Sequence, residues 1–139
     1  MEPIIKFRGQ EIDSNKWLYG DLFQRLGCYP EIIFPYIDEN GKTQYAEIAV
    51  KEKTVGQFIG FLDTHKKEIY QGDILRSVMH PDIIMVIVRD KNEASFMAKQ
   101  ITEFTDLDMG CHITQEWLDG FPKEIIGNIY ENPELLKTK

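Results

Sequence analysis

The chain has 139 residues, a formal net charge of −7, three histidines, two cysteines and 42% hydrophobic residues. That apolar content is too high for a disordered chain, and no apolar run approaches the roughly 20 residues a bilayer span needs. The acidic balance argues against a protein whose main task is gripping a phosphate backbone, so a single soluble globular domain over 1–139 is the expectation.

Strand signals dominate from the start. Residues 4–8 are β-rich and end at Gly9, and residues 16–23 are aromatic-rich with Gly20 inside, the mark of a bulge or a close backbone approach. The polar stretch 11–15 between them predicts a hairpin. Residues 32–37 form the next extended run; Pro35 has no N–H to donate, which predicts a sheet edge there. Asn40-Gly41 suits positive φ and predicts a second hairpin, returning through 43–50, where Tyr45, Glu47 and Ala49 alternate with Ala46, Ile48 and Val50.

Residues 54–61 read as a glycine-punctuated strand, 63–67 as a polar turn, and 68–70 as another extended piece turned by Gln71-Gly72-Asp73 into 74–78. The nearly continuous apolar run 83–88 predicts a well-buried strand, and 94–98 its antiparallel partner after a turn at 90–93. Residues 102–110 are polar and predict a surface loop. Thr114 with Glu116 and Trp117 predicts one helical turn with Thr114 as N-cap, stopped by Gly120. A last strand over 124–130 precedes Asn132-Pro133, a capping residue and an N1 proline that predict a short terminal helix.

The fold class read from this is mainly β (a β-rich α+β chain): N-terminal hairpins over 1–50, then a small SH3-like or otherwise half-closed barrel over 51–139, with short helices near the C-terminus. Gly56, Gly60 and Gly72 are candidates for barrel corners.

Three sequence blocks are similar to the YopX family. They are Phe7-Arg8-Gly9 with Trp17-Leu18-Tyr19-Gly20-Asp21-Leu22; Thr54-Val55-Gly56-Gln57-Phe58-Ile59-Gly60-Phe61 with Lys67-Glu68-Ile69-Tyr70-Gln71-Gly72-Asp73-Ile74; and Ile125-Ile126-Gly127-Asn128-Ile129-Tyr130-Glu131-Asn132-Pro133-Glu134-Leu135-Leu136. They lie in the family's order and span nearly the whole chain, the stretch between Met79 and Trp117 carrying little of the likeness. The resemblance implies a β-rich protein of phages and prophages, cytoplasmic in the bacterial host, with no assigned activity, catalytic residue or cofactor. The residues that carry it (Trp17, Tyr19, Gly20, Gly56, Gly60, Tyr70, Gly72, Asp73, Gly127, Tyr130, Asn132, Pro133) have the composition of a fold signature.

Reactive constellations are scarce. Gly56-x-x-x-Gly60 lacks the Gly-Lys-Ser/Thr ending of a phosphate loop. Asp73 sits at a turn, where an aspartate bonds backbone amides. His65, His80 and His112 show no metal-ligand spacing, and Asp106-Leu107-Asp108 with Glu103 lacks the glycine and distal glutamate of an EF-hand. Ser14, Ser77 and Ser95 lie in no nucleophile elbow. Cys28 and Cys111 stand alone and read as buried or half-buried inert thiols. The start of the chain, Met1-Glu2-Pro3, lacks the basic and apolar regions of a secretory signal. No catalytic residue, cofactor or metal is therefore expected.

Trp17, Tyr19, Phe23, Tyr29, Phe34, Tyr36 and Tyr45 crowd the first third. They suit a core, a self-association surface or a base-stacking platform. Tyr29, Phe34, Tyr36 and Tyr45 are the candidate interface aromatics. The leading expectation is a non-enzymatic homo-oligomer that meets an unknown phage or host protein, without a membrane. A nucleic-acid accessory protein is the alternative, opposed by the charge of −7, and a hydrolytic enzyme a distant third.

Overall fold

A computed structural model describes residues 4–90, 95–101 and 110–136. The expected loop at 102–110, with Glu103, Asp106 and Asp108, therefore falls almost wholly outside the described residues. The chain forms two compact units, Met1–Phe58 and Ile59–Lys139.

The first unit is an antiparallel meander of β1 (Phe7–Gln10), β2 (Trp17–Phe23), β3 (Glu31–Ile37) and β4 (Thr43–Ala49), adjacent in space in the order β4-β3-β2-β1. The start of β5 (Gly56–Leu62) pairs on the other side of β1, Phe7 opposite Gln57 and Arg8 opposite Gly56. The β3–β4 turn closes as its sequence demands. Asp38 Oδ1 accepts from the N–H groups of Asn40 and Lys42, each at 2.9 Å, and Gly41 takes φ +78°. The Lys42 N–H, the Gln44 amide and the Asn40 N–H together hold the Asp38 carboxyl below its ordinary pKa.

Pro35 does not mark a sheet edge. It lies in β3, an interior strand between β2 and β4. The β2–β3 ladder runs only from Phe23–Glu31 to Asp21–Ile33, so it ends before the position where a proline would have to donate. At that point β2 leaves β3 for β1, and Gly20 makes the turn-off possible: a Cβ there would stand 2.2 Å from the Ile33 carbonyl oxygen. The edge strand is β4.

The register sorts side chains by face, because directly paired residues point the same way. Leu22, Ile32 and Ile48 share one face with Phe34 and Ala46. There Leu18, Ile32 and Val50 form a buried cluster packed by Phe7, Leu22, Phe34, Ile48 and Val55. Val50 also bridges Glu11 beyond the end of β1, so the sheet curls over this cluster.

The second unit contains the rest of β5, β6 (Glu68–Tyr70), β7 (Asp73–Ser77), β8 (Ile84–Arg89), β9 (Phe96–Ile101), β10 (Gly110–His112), α1 (Gln115–Gly120), β11 (Lys123–Asn128) and a 3-10 turn at Pro133–Leu136. Its five-stranded antiparallel sheet has the order β10-β9-β8-β7-β11. The run at 83–88 is apolar throughout because β8 is covered on both faces. Met85 and Ile87 join Ile69, Leu75, Ala98 and Leu118 in one cluster, while Val86 pairs with the fully buried Ile74 on the other face. Helix α1 contributes Leu118 to that cluster, and Thr114 caps it, its Oγ1 accepting from the Trp117 N–H at 3.0 Å. The chain is thus mainly β, as the sequence indicates, but the sheets stay open and neither closes into a barrel.

Candidate functional site

The fold-signature residues of the second and third sequence blocks lie in the second unit, except Gly56, which lies in the first. Asp73, only 2% exposed, accepts from the Tyr70 N–H through Oδ2 at 2.7 Å, the amide-binding role its turn position predicts. Gly72 takes φ +95° and lies under the Tyr130 ring, which would stand 2.9 Å from a Cβ. Its N–H donates to Ile87 O, and its carbonyl accepts from Ile129 N. Across the β7–β11 pairing, Asn128 lies opposite Asp73 and Gly127 opposite Ile74, with a register shift between Ile125 and Gly127.

Asn132 does not serve as the capping side chain its sequence position suggests. Its Oδ1 accepts from Asn128 N at 3.2 Å, close over Gly127, where a Cβ would meet it at 2.5 Å. Asn128 Oδ1 in turn accepts from the N–H groups of Tyr130 and Glu131. Pro133 opens the final 3-10 turn. Gly60 has φ +93° with open space around it, whereas Gly56 is buried in β5 opposite Arg8. Gly72, Asp73, Gly127, Asn128, Tyr130 and Asn132 form a clasp of turns, and every role the geometry assigns them is structural.

Other polar groups of this unit also serve packing. Asp63, 5% exposed, accepts from His65 N and Lys67 N through Oδ1 and from Ile125 N through Oδ2, tying a turn to β11. Glu124 receives Arg76 at 2.7 Å and His65 Nε2 at 3.1 Å. The Arg76 guanidinium first, and His65 second, hold its carboxyl below the ordinary value.

Lys123, 4% exposed, donates to the carbonyls of Trp117 and Phe121 and lies 3.7 Å from the centroid of the Trp117 ring. It supplies the cation that the last turn of α1 lacks. Nothing in the sequence signals that role, because it needs β11 to bring Lys123 under the helix. A cleft of about 230 Å³ opens beside it, bounded by Ser77, His80, Met85, Gln100, Trp117 and Phe121. Ser77 Oγ accepts from His80 N there. Among the described residues no three His, Cys, Asp or Glu side chains stand where they could share a metal ion.

The first unit is different. The face opposite its core carries Asp21, Phe23, Glu31, Ile33, Pro35, Ile37, Thr43, Tyr45 and Glu47, as the register requires. Tyr45 is 67% and Ile37 66% exposed, and Tyr19 and Phe23 are each more than two-fifths exposed. The Arg8 guanidinium lies 4.6 Å from the half-buried Trp17 ring, and that of Arg25 4.8 Å from Phe23.

Of the expected interface aromatics, Tyr29, Tyr36 and Tyr45 are exposed, whereas Phe34 packs against the core. Cys28 is exposed, not buried as its residue type suggested, in the loop beside Tyr29; the Cys111 side chain lies outside what is described.

The backbone of β4 adds an edge to this face. At the two ends of the ladder Asp38 N donates to Lys42 O, and Val50 N to Pro30 O. Hydrogen-bonded and non-hydrogen-bonded pairs alternate in an antiparallel ladder. Gln44, Ala46 and Ile48 therefore turn their amides to β3, whereas Thr43, Tyr45, Glu47 and Ala49 turn theirs outward. No strand among the described residues pairs with that outer edge along Thr43–Glu47, and beyond Ala49 the chain after β1 takes it: Glu11 bridges Val50 and Lys51 N donates to Gln10 O.

This geometry defines a two-unit antiparallel β protein with satisfied turns and one sheet that is open along part of its edge, with an outer face where exposed apolar side chains stand among three carboxylates. The chain belongs to the YopX family: the family model described as "YopX protein" matches residues 6–137. Among solved structures it is similar to "Crystal structure of protein EF1440 from Enterococcus faecalis", at 24% sequence identity over 98% of this chain and 100% of that one, with a TM-score of 0.55. That likeness is one of fold. No curated protein matches the chain. Among the described residues no helix is long and apolar enough to cross a membrane.

Proposed function

We propose that the protein is a non-enzymatic product of phage or prophage DNA that works in the bacterial cytoplasm through protein–protein contacts, as a homo-oligomer. One observation carries this reading: the outer face of the first unit, where Tyr45 and Ile37 are about two-thirds exposed beside the outward-facing amides of β4. Exposed aromatics at a sheet margin are what protein interfaces use, and an open edge is what natural proteins otherwise cover. Asp21, Glu31 and Glu47 stand on the same face, which disfavours a phosphate backbone there. The family's occurrence in phages and prophages supports the origin and the location.

The test is the solution mass by light scattering after size exclusion, over a wide concentration range at low and moderate salt. A mass at a multiple of 16.2 kDa that persists in moderate salt is expected, since the charges on this face are all acidic and salt screens only their repulsion. A constant 16.2 kDa at every concentration overturns the oligomer.

A further inference from the structure

We infer that the cleft beside Lys123 binds a small aromatic carboxylate, one ring carrying one acid group; this goes beyond the self-association proposed above and does not depend on it. The floor of the cleft is the core face of the second unit's sheet. Directly paired residues share a face, so Met85 stands with Leu75 and Gln100, and Ser77 with Lys123. Met85 and Ala98 belong to the buried cluster and also line the cleft, because the six residues of α1 cover only part of that face.

Exposed apolar surface gathers at this opening. Of the four exposed large hydrophobic side chains described in the second unit, three are Val78, Met79 and Phe121. Phe121 lines the cleft, and Val78 and Met79 fill the stretch between two of its lining residues, Ser77 and His80. Apolar surface concentrated around a hollow with a few polar groups is what a small-molecule site presents.

Size and charge narrow the ligand. An apolar cavity of about 150 Å³ takes benzene, so one of about 230 Å³ takes a ring with a short polar arm. Among the described residues the lining holds one fixed cation, Lys123, and no carboxylate, which favours an acid over an amine. Lys123 acts through its charge, since it already donates to the Trp117 and Phe121 carbonyls. Directed bonds to the acid come from Ser77 and Gln100. Ser77 Oγ accepts from His80 N and gives its own proton to no described residue, and the half-buried Gln100 amide bonds none.

The test uses the full chain and phenylacetate, followed by the methyl NMR signals of Met85 and Ala98. Saturable shifts at both are expected, with a Kd of about 1 mM or tighter, as a ligand of about ten non-hydrogen atoms allows. Phenylacetamide, of the same shape without the charge, should bind severalfold more weakly, and phenethylamine more weakly still. Gln100→Glu places a carboxylate beside the acid and should weaken phenylacetate about tenfold with little change in melting temperature. Ser77→Ala should weaken it severalfold by removing a donor.

No saturable shift in the wild-type protein overturns the site. Amide or amine binding as tightly as the acid overturns the carboxylate assignment. Phenylacetate binding that both variants leave unchanged lies elsewhere on the molecule and overturns the cleft. Should Gln100→Glu fail to fold, Ser77→Ala and the ranking of the three ligands decide.

Discussion

The two units use antiparallel sheet differently. In the second, β8 is covered on both faces and α1 lies over the cluster formed by Leu75, Met85, Ile87 and Leu118. In the first, one face holds a small core and the other stays open. Of the thirteen large hydrophobic side chains exposed among the described residues, nine lie in the first unit, from Ile4 to Tyr45, although it is the shorter of the two. The clasp of glycines, Asp73 and Asn132 is thus a device for building the second unit, and most of the exposed large hydrophobic side chains among the described residues belong to the first. Family-marking residues and the residues proposed to meet a partner are largely different residues here.

This contrast can be broken or sharpened experimentally. The largest effect should come from the cores. Leu75→Ala should cost about 3 kcal/mol and Ile32→Ala a comparable amount, each from a fully buried position. Denaturant unfolding should show the loss of Leu75 mainly through Trp117 fluorescence and that of Ile32 mainly through Trp17. Equal shifts in both probes for both variants would show that the units melt as one.

Next is the clasp. Asp73→Ala leaves the Tyr70 N–H without its carboxylate and should cost about 2 kcal/mol by the same measurement. Gly127→Ala forces Asn132 off Asn128 N and should cost about 1–2 kcal/mol; a neutral result would remove the close contact from the account.

Glu124 tests the electrostatics. Its carboxyl is held below its ordinary value in the folded protein, so its contribution is fully present above the ordinary carboxylate range. That contribution fades as pH falls through the lowered folded value. Arg76→Ala should move the Glu124 titration midpoint upward by NMR, and an unmoved midpoint would deny Arg76 the leading role.

The smallest stability effect should be that of Tyr45→Ala, within about 0.5 kcal/mol because the side chain is exposed. The same change should nonetheless weaken self-association in light scattering. If it destabilises the fold instead, the outer face is structural and the contrast between the units fails.

Much of the fold was legible because short-range physics writes it into short stretches of chain. Asn40-Gly41 announced a turn, Thr114 a cap, the run at 83–88 a buried strand, and Asp73 a bond to a turn amide. The misreadings share one cause. Pro35 suggested an edge, but whether a missing N–H matters depends on where the β2–β3 ladder stops. Cys28 suggested burial from its residue type, yet exposure is set by the loop that carries it. Phe34 and Tyr45 looked alike as candidate interface aromatics, and only the alternation of β3 and β4 about their register sends one to the core and the other to solvent.

The sequence by itself determined the β class, the turns, the hairpins and the family, because each depends on residues near one another along the chain. Tertiary structure alone decided that Gly72 meets Tyr130, that Lys123 caps α1, and that β4 stands at the margin of its sheet with Glu11 bridged to Val50 at its far end. These are pairings between distant residues, and which strands become neighbours is fixed by the packing of whole faces rather than by any local preference.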